Sequence, residues 1–184
     1  ALGPWTNRFE DAVAQHVGSN SGIATNSAQS AMHITLEAIG IRQGDEVVIP
    51  AFAFPATAAT IHRMGATPIF VDCDVRSLNM DAQDVSRKIT QATKAIIATY
   101  TFGNPSGIEA IAKIALEHEI TLIEDASQAI GSAVQGRRIG TFGRVAIFAF
   151  HSSTQVTSVE GGLITTDDDM LAEQCRSRRN HGLV

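Results

Sequence analysis

The segment "VAIFAFHSSTQVTSVEGGLITT", Val145 to Thr166, holds two apolar runs, "VAIFAF" and "GLITT", separated by about a dozen residues. Both runs are rich in residues that suit strands. The gap is short for the helical crossover that a parallel pair needs, so the second run is expected antiparallel to the first. Between them stand small hydroxyl residues, then Glu160, Gly161 and Gly162. Loops of this kind carry ligands, yet this one contains no lysine, no cysteine and a single histidine, His151.

The same kind of run recurs upstream. "GIAT" (22–25), "EVVIP" (46–50), "TPIFVD" (67–72), "KAIIATY" (94–100) and "TLIEDA" (121–126) complete a set of seven strands. Most are continuously apolar rather than alternating, as strands covered on both faces are. Helical patterns fall between them at 9–17, 27–39, 55–64, 81–89, 106–118 and 168–180. The alternation predicts an α/β domain: a mostly parallel seven-stranded sheet with one antiparallel strand and helices on both faces. Ligands of such sheets sit at the carboxyl ends of the strands. Candidate residues therefore follow Thr25, Pro50, Tyr100, Glu124 and Phe150.

Bulk properties narrow the class. A chain of 184 residues suits one domain with a real core. Charged residues make up 18% and hydrophobic residues 44%, which argues against wholesale disorder. The net charge of −5 comes without a basic cluster, so a nucleic-acid surface is not expected. Only "RSRRN", Arg176 to Asn180, is locally basic, and it reads as a solvated helix end. Cys73 and Cys175 lie far apart without a metal-ligand pattern, so no metal is expected and both read as reduced thiols in the cytoplasm. No apolar run is long enough to span a membrane and no signal peptide is visible. The chain opens at "ALGPW" and closes at "NHGLV", which reads as a cut through a longer protein at both ends.

Three stretches can each be read in two ways. In "ATNSAQSAMH" a strand runs into Asn26 and Ser27 and a helix begins, which gives either an anion site or an ordinary helix cap. In "LIEDASQA" Asp125 ends an apolar strand, where a buried carboxylate needs a partner. That partner is either a cationic ring nitrogen of a ligand or the next helix amino terminus, with Gln128 three residues on. In "PAFAFPATAAT" Phe54 is either core or a face on which a flat ring stacks.

Taken in order, "ATNSAQSAMHITLEAIGIRQGDEVVIPAFAFPATA", "GATPIFVDCD", "LNMD", "TKAIIATYTFGNP", "LIEDASQAIGS", "GRRIGTFGRVAIFAFH" and "EGGLITTDD…RSRRNHG" resemble the DegT-type nucleotide-sugar aminotransferases. These are enzymes of fold type I that use pyridoxal 5′-phosphate (PLP). The resemblance covers essentially the whole chain and implies residues 1–184 as a large-domain core, without the family's carboxyl-terminal small domain. It implies Asp125 on the pyridine nitrogen, Gln128 on the ring hydroxyl, Phe54 stacked on the ring, and the turn at Ala28 and Gln29 on the phosphate. It also implies a nucleotide sugar and an amino donor as small-molecule partners, and a homodimer.

The family pattern in the opening segment runs S-F-H-x-x-K, then E-G-G. Laid on this chain, Phe150, His151 and Glu160-Gly161-Gly162 match. The lysine falls on Thr154, the phosphate-binding serine on Ala149, and the phosphate-binding threonine of the first loop on Gln29. A threonine cannot form a Schiff base or replace an amine as proton shuttle. The remaining lysines, Lys88, Lys94 and Lys113, fall on helices or at a strand start. His151 matches the ordinary histidine of the pattern and is expected near substrate. The expectation is a PLP-dependent aminotransferase of keto nucleotide sugars with its catalysis in doubt. The alternatives are a degenerate non-catalytic member acting as a binding or partner subunit, and a structural fragment.

Overall fold

A computed structural model describes residues 3–182. Ala1, Leu2, Leu183 and Val184, on which the reading of the chain ends partly rests, lie outside the described residues. Helix α1 (Pro4–Val17) starts five residues before the apolar pattern suggests. The reason is Pro4, whose fixed φ and missing N–H suit the first helical turn. Then follow β1 (Ser21–Thr25), α2 (Ala28–Ala38), β2 (Glu46–Pro50), α3 (Pro55–Arg63), β3 (Thr67–Val71), α4 (Ala82–Lys88) and β4 (Thr93–Thr99). The second half runs α5 (Ile108–Glu117), β5 (Thr121–Asp125), β6 (Ala133–Val134), β7 (Arg137–Arg138), β8 (Val145–Ala149), β9 (Gly162–Thr166) and α6 (Asp169–Arg179).

Seven strands form one sheet in the order β1-β9-β8-β5-β4-β2-β3. Strand β9 is antiparallel to both neighbours, and all other pairings are parallel. That is the arrangement expected from the short connection before "GLITT". The sequence reading omitted β6 and β7, a two-residue hairpin closed by Gln135 and Gly136, both at positive φ.

Apolar side chains line both faces of the sheet, which is why most strands read as unbroken apolar runs. Val48, Ile96, Ala98 and Phe148 face a core shared with α1, α4 and α5. Val47, Ile49, Ala95, Ile97 and Ile147 face a second core with α2, α3 and α6. Helices α2, α4 and α6 start where side chains cap them: Ser27 accepts from the Ser30 amide, Asp81 from Gln83 and Asp84, and Asp168 from Leu171. Among the described residues no helix is long and apolar enough to cross a membrane.

The "RSRRN" segment corrects the sequence reading. Arg176 is exposed, but Arg179 is drawn inward onto Glu10, which also accepts the Ala24 amide at 2.8 Å. Arg179 further donates to the Ala24 carbonyl at 3.0 Å. This pair ties α6 to α1 and β1 instead of leaving a solvated helix end, because burial of one charge demands the other.

Candidate active site

The carboxyl ends of β1, β2, β4, β5 and β8 lie along one edge of the sheet. Antiparallel β9 begins at that same edge, with Gly162 paired to Thr25 on one side and Ala149 on the other. A cavity of about 410 Å³ opens there. Its wall carries Ala28, Gln29, Phe54, Asp125, Gln128, Ala149, His151 and Thr154, the eight residues singled out from the sequence. It also carries Thr57, Tyr100, Ser127, Ser153 and Glu160, which the sequence reading did not assign to a site.

Glycine at position 162 makes the first wall possible. A Cβ there would stand 2.3 Å from the Ser27 carbonyl and 2.5 Å from the Ala28 nitrogen. The start of β9 thus closes directly on the amino terminus of α2. Ser27 is the cap of α2. Its hydroxyl takes the Ser30 amide at 3.1 Å. The amides of Ala28 and Gln29 have no acceptor among the described residues, and they stand on the cavity wall. Unpartnered amides at a helix start, with the helix dipole behind them, suit an anionic group.

Asp125 ends β5 and is 8% exposed. Its Oδ1 accepts the Ser127 hydroxyl at 2.6 Å and the Ser127 amide at 3.2 Å. These local bonds replace the helix amino terminus considered as a partner, because a turn and not a helix follows β5. Oδ2 has no protein partner among the described residues. Burial holds the Asp125 carboxyl above its ordinary range, and the bonds from Ser127 oppose this only in part. A cationic ring nitrogen would relieve that cost.

Phe54 is 77% exposed, so it is not a core aromatic. It precedes Pro55 at the start of α3 and presents an uncovered ring at the cavity. The Gln128 side-chain oxygen accepts the Phe102 amide at 2.8 Å, which orients the side chain and leaves its NH2 group as donor.

Beside Asp125, Glu124 points away from solvent entirely and accepts the amides of Gly140, Phe142 and Gly143 at 2.8, 2.6 and 2.6 Å. The Tyr100 hydroxyl completes the set with a short bond. Burial raises the Glu124 carboxyl above its ordinary range, opposed by these four donors. The carboxylate pins the 140–143 loop and Tyr100 behind the cavity.

The 151–161 loop forms the remaining wall. Thr154 lines the cavity, but its hydroxyl lies 2.7 Å from the His151 carbonyl and 2.8 Å from the Val156 carbonyl. Its one proton is therefore committed to the loop backbone. His151 Nδ1 accepts the Ser153 amide at 3.2 Å, so the neutral ring carries its proton on Nε2, 3.4 Å from Glu160 Oε1. Among the described residues no lysine or arginine lines the cavity. Lys88 is held by Asp84 at 2.9 Å and Lys113 by Glu117 at 3.7 Å, while Lys94 is exposed at the start of β4.

The model of the DegT/DnrJ/EryC1/StrS aminotransferase family matches residues 1–184. The GDP-perosamine synthase of Vibrio cholerae is 36% identical over 182 residues, 99% of this chain and 50% of that protein. The pleiotropic regulatory protein of Geobacillus stearothermophilus is 41% identical over 182 residues, 98% of this chain and 49% of that protein. The chain thus spans about half the length of these relatives. Among solved structures, DesI in the presence of its TDP-sugar product superposes with a TM-score of 0.94 at 34% identity, over 100% of this chain and 46% of that one. DesV of S. venezuelae, in complex with a ketimine intermediate, gives 0.95 at 33% identity, over 99% and 49%.

Proposed function

The chain belongs to the DegT/DnrJ/EryC1/StrS aminotransferase family, and from that premise we propose that it is the cofactor-cradling large domain of a nucleotide-sugar aminotransferase-type protein that holds PLP without a covalent bond and does not transfer amino groups. The residues fit the group's ring and phosphate. Asp125 Oδ2 lacks a partner where a protonated ring nitrogen needs one, the Gln128 NH2 group suits a ring hydroxyl, and Phe54 offers a stacking face. The amides of Ala28 and Gln29 suit the phosphate, beside the small side chain of Ala149. Bound PLP supplies an electron sink.

The observation that carries the reading is a cavity with this cradle and no amine on its wall. Thr154 cannot attach to an aldehyde, and its hydroxyl proton is already engaged. General acid–base help from a positioned amine is worth roughly 10²–10⁴-fold, and that contribution is missing. On this reading the protein is cytoplasmic and homodimeric, and its second ligand is a keto nucleotide sugar. It is a binding or partner subunit.

The test combines equilibrium dialysis of PLP with an amino-transfer assay using glutamate and a 4-keto nucleotide sugar. The expectation is saturable, weak binding with no transfer. Absence of binding at millimolar PLP would overturn the cradle. Transfer at ordinary rates would overturn the non-catalytic reading, and its loss in His151→Asn would identify His151, paired with Glu160, as the acid–base group.

A further inference from the structure

The seven-stranded sheet has two outer strands, β1 and β3, and each turns one row of backbone groups away from its single neighbour. Such rows are templates for a further strand. In β3 the Thr67 amide and the Val71 carbonyl point toward β2, where they meet the Asp45 carbonyl at 2.9 Å and the Ala51 amide at 2.8 Å. By alternation Pro68 and Phe70 point outward. Pro68 has no N–H to offer. The Phe70 carbonyl accepts from Lys88 Nζ at 2.7 Å, and the next outward amide, that of Asp72, donates to Asp84 Oδ2 at 2.7 Å. Asp84 and Lys88 stand one turn apart on α4 and pair with each other at 2.9 Å.

The other edge is closed in the same way. The Ala24 amide of β1 donates to Glu10 Oε1 at 2.8 Å, the Ala24 carbonyl accepts from Arg179 at 3.0 Å, and Glu10 and Arg179 pair with each other. Two positions earlier, a Cβ on Gly22 would stand 2.5 Å from the Glu10 carbonyl oxygen, so the backbone of α1 lies against that part of the strand. At both edges one carboxylate holds an outward amide, one cation holds an outward carbonyl, and the two charges hold each other.

We propose that these two ion pairs are edge guards, which keep a second copy of this chain or an extended peptide from adding a strand to the sheet. At β3 an incoming strand finds only the Pro68 carbonyl and the Phe70 amide free among the described residues, which supports one pair of bonds and not a ladder. An antiparallel partner needs the amide and the carbonyl of one residue together, and Phe70 offers only the amide. The Glu10–Arg179 pair is largely buried and also holds α1 and α6 to the sheet. The Asp84–Lys88 pair guards the more open edge, where the Phe70 ring is half exposed and gains apolar contact from any strand that docks. Assembly of the chain is thereby directed to its other faces.

The experiment is sedimentation velocity across the micromolar range, where unpaired strand edges associate. The double variant Asp84→Ala/Lys88→Ala frees the Asp72 amide and the Phe70 carbonyl without changing the net charge. The expected result is a concentration-dependent rise to about twice the wild-type mass, as two copies join edge to edge. Adding Phe70→Lys should return the mass to that of wild type, because a lysine on an edge strand opposes pairing. The control Lys113→Ala/Glu117→Ala removes an exposed pair on α5 and should sediment as wild type. Circular dichroism checks the fold. If the double variant unfolds, Lys88→Met carries the test, because it keeps the side-chain stem and the bond from Asp72 to Asp84 while freeing the Phe70 carbonyl. A folded variant that keeps the wild-type mass at every concentration overturns the proposal. Association that persists with Phe70→Lys, or that the α5 control shows equally, overturns it as well.

Discussion

The hydroxyl of Thr154 lies within hydrogen-bond distance of two carbonyls of its own loop, His151 at 2.7 Å and Val156 at 2.8 Å. The residue therefore stabilises the turn beneath the cavity. Replacing it removes a bond the loop depends on, at a cost of about 0.5–1.5 kcal/mol.

Thr154→Lys alone is expected to restore little. The aldehyde reacts efficiently only once the phosphate anchor has placed it, and Ala149 and Gln29 add no hydroxyl to that anchor. Adding Ala149→Ser and Gln29→Thr should raise PLP affinity more than the lysine does by itself. Absorbance titration of the single and triple variants checks this. Full visible-range absorbance of the single variant at micromolar PLP would show that the phosphate site is already sufficient.

Gly162→Ala is expected to damage the α2 wall selectively. Its Cβ meets backbone, the Ser27 carbonyl at 2.3 Å, which cannot rotate away. The loss should reach about 1–3 kcal/mol of stability, typical of overpacking, together with most of the affinity for any phosphate-bearing ligand. Thermal unfolding and dialysis of 4-deoxypyridoxine 5′-phosphate check the two effects. A variant as stable as wild type that binds normally would mean that β9 and α2 part more easily than this contact implies.

The seven strands and the site edge were largely legible, and for one reason. Strands covered on both faces leave unbroken apolar runs, and the residues after them must lie along one edge. What escaped was carried by polar atoms. Glu124 read as a strand tail beside Asp125, although a carboxylate inside an apolar strand demands donors. Those donors are amides 16 to 19 residues away, whose convergence no local pattern records. Glu160 was visible only as part of a glycine-rich motif, and its pairing with His151 depends on how the loop folds back. Arg179 looked like surface because charge composition does not reveal Glu10 waiting 169 residues away.

Glu124→Gln should destabilise the fold by roughly 1–3 kcal/mol, although it removes a buried charge. Four donors converge on two carboxylate oxygens, and an amide NH2 in place of one oxygen meets N–H groups head on. Denaturant unfolding with an unchanged m-value is the check. A variant more stable than wild type would mean that desolvation of the carboxylate outweighs its four bonds.

Asp125→Asn should act in the opposite direction. The asparagine oxygen keeps both bonds from Ser127 and loses the desolvation penalty that raises the Asp125 carboxyl. Wild-type Asp125 carries that penalty in full above its folded-state pKa. The penalty fades as pH falls from there toward the ordinary value of 3.8, because protonation in the folded state then precedes protonation in the unfolded chain. The variant should therefore melt higher than wild type at pH 7, by about 2–4 °C for each kcal/mol relieved, with the gap closing in acid. Its affinity for any ligand with a protonated ring nitrogen should fall. A lower Tm at pH 7 would show that Asp125 is a structural charge rather than one held ready for a ligand.

The most direct measurement is borohydride reduction of the protein equilibrated with PLP, followed by peptide mass mapping, alongside dialysis of the unreduced complex. Non-covalent holding predicts saturable binding that 4-deoxypyridoxine 5′-phosphate displaces, with only scattered, substoichiometric label on Lys88, Lys94 and Lys113. Stoichiometric label on one lysine, blocked by the same competitor, would contradict the account, because it would place an amine in a cavity whose wall has none.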